Sequence, residues 1–65
     1  MLSKNIKRFR QEKGLSQDKL AKLADVTHTT LVKLESGVNN NPTVKTLKKI
    51  ADALGISLDL LVGRK

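Results

Sequence analysis

The chain of 65 residues has no cysteine, tryptophan or tyrosine, and only one phenylalanine, one histidine and one proline. Without cysteine there is no disulfide framework and no thiolate zinc site, and His28 alone cannot build a metal centre. No stretch approaches the roughly 18 apolar residues of a membrane span, and no signal-peptide core opens the chain. A cytoplasmic protein without a membrane partner is therefore expected. Paired carboxylates, a nucleophile with an adjacent base and a ligand cluster are all missing, so neither an enzyme nor a cofactor is expected. Acidic residues are scarce as well. Six Asp and Glu face thirteen Lys and Arg, for a net charge of +7. So large a charge on so small a surface favours a polyanionic partner.

Phe9 narrows the choice of polyanion. Proteins that hold single strands stack successive bases on several aromatic rings, and one ring cannot do that. Double-stranded DNA is the better fit. The charge is also unevenly placed along the chain. Eleven basic residues lie between Lys4 and Lys49, whereas residues 50–63 contain Asp52 and Asp59 and no base; Arg64 and Lys65 follow as a basic tail. One basic end and one neutral, apolar end are expected.

Apolar spacing predicts helices throughout. Leu2, Ile6 and Phe9 fall at i, i+4 and i+7, with Ser3 as the candidate cap and Gly14 as the stop. Ser16 caps a second helix with the buried stripe Leu20, Ala21, Leu23 and Ala24. Asp25, Val26 and Thr27 form a tight turn, and Thr27 caps a third helix that runs to Ser36 before Gly37. Val38 to Pro42 reads as a loop containing Asn39, Asn40 and Asn41. Thr43 caps a fourth helix with the stripe Val44, Leu47, Ile50, Ala51 and Leu54. Gly55 ends it and Ile56 packs over the end. Ser57 caps a short fifth helix holding Leu58, Leu60, Leu61 and Val62, closed by Gly63. The fold class is all-α, in one domain spanning 1–65.

Residues 16–37 are the most informative. They read as two short helices joined by a three-residue turn, the arrangement of a helix-turn-helix at helices 2 and 3. The third helix has core residues only at Leu31 and Leu34. Its other face, His28, Thr29, Val32, Lys33 and Ser36, is short, polar and cationic, and no packing need explains it.

The run GLSQDKLAKLADVTHTTLVKLESG, followed by NNPTVKTLKKIADALGIS, resembles the lambda-repressor-like, Cro/CI-type (XRE) helix-turn-helix family of transcriptional regulators. Arg10, Gly14, Leu15, Ser16, Gln17, Leu20, Ala21, Val26, Thr27, Leu31, Glu35, Gly37, Pro42, Leu47, Ile50, Ala51, Leu54 and Gly55 carry the likeness, from about Ile6 to Leu61. The resemblance implies a five-helix DNA-binding domain. It implies base contacts from His28, Thr29, Val32 and Lys33 in the major groove. It implies backbone contacts from Gln17, Thr27, Thr30, Arg10 and the loop residues Asn39, Asn40 and Asn41. It further implies a brace between Arg10 and Glu35 that ties helix 1 to the end of helix 3. Asp25 departs from the family, which usually has Gly in the turn. No C-terminal oligomerisation or cleavage domain like that of larger phage repressors is expected.

One recognition helix reads only a few base pairs, so a homodimer on a pseudo-palindromic operator is expected, with Leu58, Leu60, Leu61 and Val62 as the interface and Leu60 or Val62 exposed in the monomer. The expected function is a repressor. The alternatives are an antitoxin or restriction-modification controller with a toxin or other protein partner, and a protein-interaction module whose charge is incidental.

Overall fold

A computed structural model describes residues 2–38 and 42–63 of the chain. Among these residues the chain forms five helices and no strand: α1 (Leu2–Glu12), α2 (Gln17–Ala24), α3 (His28–Ser36), α4 (Val44–Leu54) and α5 (Leu58–Val62). The asparagines of the loop, Asn39, Asn40 and Asn41, lie outside the described residues, as do Arg64 and Lys65.

Hydroxyl caps set the starts of four helices. Ser16, Thr27, Thr43 and Ser57 all have extended backbone, and their side-chain oxygens accept the N–H of Lys19, Thr30, Thr46 and Leu60 respectively. Each cap satisfies a donor that no helical carbonyl can reach. Ser3 is different: α1 begins at Leu2, so Ser3 is inside the helix and caps nothing.

The turn between α2 and α3 depends on a left-handed residue. Asp25 has φ 58° and ψ 44°, the one non-glycine at positive φ among the described residues. In that conformation the Asp25 N–H donates to the Lys22 carbonyl (3.2 Å) and the Val26 N–H to the Ala21 carbonyl (3.0 Å). Left-handed backbone strains any residue with a Cβ, though Asp less than most. Asp25→Gly is therefore expected to stabilise the fold by about 0.5–1 kcal/mol. Urea denaturation measures it, and an unchanged or lower midpoint would mean that the turn is not strained.

The core is Ile6, Leu20, Ala21, Ala24, Leu31, Leu34, Leu47, Ile50, Ala51, Leu54 and Leu61. Phe9, Leu15, Val26 and Ile56 pack against its margin. α1 packs on α3 and α5, α2 on α3 and α4, and α5 on α4. Ala21 and Ala24, small side chains on the buried face of α2, let its neighbours approach closely.

Two expected core residues are outside. Leu23 is 55% exposed. It is rotated about 100° from Ala24, onto the flank of a stripe already filled by Leu20, Ala21 and Ala24. Val44 is 66% exposed, whereas Leu47 one turn later is 9% and Ile50 0%. Val44 opens α4 and overhangs the edge of the core.

Candidate nucleic-acid interface

α3 is fixed by its inward side. Leu31 and Leu34 are fully buried, and the helix is only nine residues long. Residues between and before them must then face outward. His28, Thr29, Val32 and Lys33 are all exposed, and Ser36 is exposed one turn on from Val32 and Lys33. Ser36 is occupied locally: its hydroxyl donates to the Lys33 carbonyl and accepts the Val38 N–H. The outward face thus offers one cation, one imidazole, one hydroxyl and one branched methyl pair. That set can donate to guanine O6 and N7, exchange hydrogen bonds with other base edges and touch a thymine methyl.

At the start of α3 the two threonines interlock. The Thr27 hydroxyl accepts the Thr30 N–H (3.1 Å) and donates its own proton to Thr30 Oγ1 (2.7 Å). Thr27 is thereby committed to the cap. Thr30, accepting at its oxygen, keeps a proton for an outside acceptor such as a phosphate.

The far end of α3 is held by Glu35. Its side chain is only 3% exposed, against 12% for Arg10. Arg10 Nε donates to Glu35 Oε2 (2.7 Å) and Nη2 to Oε1 (3.0 Å), a bidentate fork. Arg10 Nη1 donates to the Leu15 carbonyl (2.7 Å). The guanidinium therefore reaches α3 and the α1–α2 connection together. It is turned into the protein with three of its five N–H donors committed. A third helix joins through Gln17, whose Nε2 donates to Glu35 Oε1 (3.2 Å). The pairing of Arg10 with Glu35 is the one that the family resemblance implied. The bond from Gln17 was not implied, because no spacing brings residues 17 and 35 together.

Gln17 is the first residue of α2, half-buried, beside the free N–H groups of the helix start. Such a terminus suits an anion.

α5 divides the proposed dimer residues. Leu60 is 46% exposed, as expected of Leu60 or Val62. Leu58 and Val62 are partly buried against the core. Leu61 is 0% exposed and belongs to the core, so it cannot form part of the interface expected of it. In a helix this short only one side can face the body of the domain, and Leu61 takes it. Asn5 secures the end: its Nδ2 donates to the Leu61 carbonyl (3.1 Å) across 56 residues of chain. Nothing in the spacing of α1 pointed to Asn5. The neutral segment also packs against α1 and α4, which carry exposed Lys4, Lys7, Lys45 and Lys48. Segregation of charge along the chain is therefore not a clean division in space.

Among the described residues no group of acidic, His or Cys side chains could hold a metal, and no helix is long and apolar enough to cross a membrane.

A helix-turn-helix family model matches residues 6–61. The transcriptional regulator SinR of Bacillus subtilis is 34% identical over 65 residues, which is 100% of this chain and 59% of SinR. The immunity repressor of Bacillus phage phi105 is 34% identical over 64 residues, 98% of this chain and 44% of that protein. A crystal structure of SinR, described as the master regulator for biofilm formation, in complex with DNA matches with a TM-score of 0.92 at 34% identity. It covers 95% of this chain and 98% of that one. The chain thus spans about three-fifths or less of the length of these full regulators.

Proposed function

The chain belongs to the Cro/CI-type helix-turn-helix family, and from that premise we propose that it is a sequence-specific, double-stranded-DNA-binding transcriptional repressor. The observation that carries this reading is the outward face of α3. His28, Thr29, Val32 and Lys33 are all exposed on a short helix pinned at one end by its cap and at the other by Glu35. The likeness to a regulator solved on DNA supports the same assignment. Those four residues read bases. Thr30, Gln17 and the amides at the helix starts hold phosphates. Asn39, Asn40 and Asn41, outside the described residues, remain proposed backbone contacts. The role is binding, exercised in the cytoplasm, and no catalytic step or cofactor is part of it.

Selection of bound sites from random duplexes is the direct test. A recovered consensus, together with an affinity that falls steeply as salt is raised, is the expected result. Weak salt dependence and no consensus would favour the protein-interaction module instead.

The repressor acts as a homodimer. Adjacent major-groove segments on one face lie about 34–36 Å apart, and the domain's longest dimension is 28 Å. A single copy cannot place α3 in both. Leu60, flanked by Leu58 and Val62, supplies the apolar contact. Leu60→Asp is expected to leave folding stability within about 0.5 kcal/mol and to abolish cooperative two-site binding. Sedimentation velocity on the unaltered protein, showing a strict monomer that fills half-sites independently, would rule the dimer out. Control by a protein partner, including a toxin, is the companion proposal, and co-purification tests it.

A further inference from the structure

We infer that Glu35 is a positioning residue for DNA-backbone binding, acting through the side-chain amide of Gln17, an inference that rests on the DNA-binding reading above. A carboxylate only accepts hydrogen bonds, so the atom of Gln17 facing Glu35 must be the amide nitrogen. The observed contact is Gln17 Nε2 to Glu35 Oε1 at 3.2 Å. One N–H of the amide is thereby pointed inward, and the second is left to donate away from Glu35.

Orientation matters because an amide has two unlike ends. Turned the other way, its carbonyl oxygen would take the place of the donor and repel a phosphate. Glu35 removes that choice. It can do so because it is itself immobile: its side chain is 3% exposed and both oxygens are held by Arg10. Oε1 serves Arg10 Nη2 and Gln17 Nε2 together. The carboxylate that braces α3 to α1 is thus the same group that aims the donor at the start of α2. Backbone clamp and recognition helix are set from one buried atom, which keeps phosphate contact and base contact in one register.

The test is a double-mutant cycle of Glu35→Gln and Gln17→Ala. Duplex affinity is read on the folded fraction, fixed by circular dichroism at each condition. Gln17→Ala and Glu35→Gln are each expected to weaken binding about tenfold, the size of one charge-assisted hydrogen bond. In the Gln17→Ala background, Glu35→Gln should then cost less than about twofold, because the group it orients is gone. Equal losses in both backgrounds would show that Glu35 acts only through the placement of α3, and would overturn the inference. If Glu35→Gln does not fold, the unaltered protein still decides. Its Gln17 side-chain amide should give two well-separated proton resonances, of which one moves on adding duplex. Both moving alike would also overturn it. A failure of the unaltered protein to bind any duplex would instead overturn the DNA-binding reading itself, and so is told apart from failure of the coupling.

Discussion

Arg10→Met is expected to lower folding stability by about 3–5 kcal/mol, as a fall in the urea midpoint followed by circular dichroism. The loss does not measure an attraction alone. It arises because Glu35, 3% exposed, would be left with the Gln17 amide as its one hydrogen-bond partner among the described residues. A buried carboxylate that loses its cation keeps the cost of leaving water and loses the interaction that offset it. A domain this small buries a modest share of its surface, and its total stability lies near the low end of about 5–15 kcal/mol. The single change should therefore remove much of the fold. Combining it with Glu35→Leu should restore most of the loss, because no charge is then left inside. The contrast is the pair of Arg8 and Glu12, each side chain 61% exposed, where Glu12→Ala should shift stability by less than about 0.5 kcal/mol. Equal small effects at both pairs would mean that the Arg10 fork is an ordinary surface bridge.

Lys33→Ala is expected to reduce the preference for the selected operator over random duplex by roughly tenfold to a hundredfold, or about 1–3 kcal/mol. Lys33 is exposed on the outward face of α3, so its removal should leave the urea midpoint in place. The measurement is a pair of affinities at one salt concentration, operator against random sequence. If both fall together and the ratio holds, Lys33 touches phosphate and not a base edge. His28, Thr29 and Val32 would then carry the discrimination.

Much of the architecture was legible in the residues because its determinants are local. Ser16, Thr27, Thr43 and Ser57 cap the helices they were assigned to, and glycines follow α3, α4 and α5 in left-handed conformation. A hydroxyl three residues before a free amide needs no information from elsewhere in the chain. Asp25 was singled out as the departure in the turn, and it does adopt the left-handed conformation there. Expectations failed where burial depends on how far a neighbour extends. Leu23 and Val44 lie on or near apolar faces by period, yet both are more than half exposed. Leu61, expected at the dimer interface, is fully enclosed. Periodicity gives the direction of a side chain, not the edge of the surface that meets it.

The site divides in the same way. The exposure of His28, Thr29, Val32 and Lys33 followed from Leu31 and Leu34, since on a two-turn helix two buried leucines leave the remaining directions open. Sequence by itself thus determined the helices, the caps of α2 to α5, the turn and the outward face of α3, because each rests on contacts within about four residues. The tertiary structure alone decided that one buried carboxylate serves both Arg10 and Gln17, that Arg10 is turned away from solvent, and that Leu61 is core while Leu60 is surface. Those outcomes depend on where three helices meet, and they join residues 18, 25 and 56 positions apart, distances over which no local rule acts.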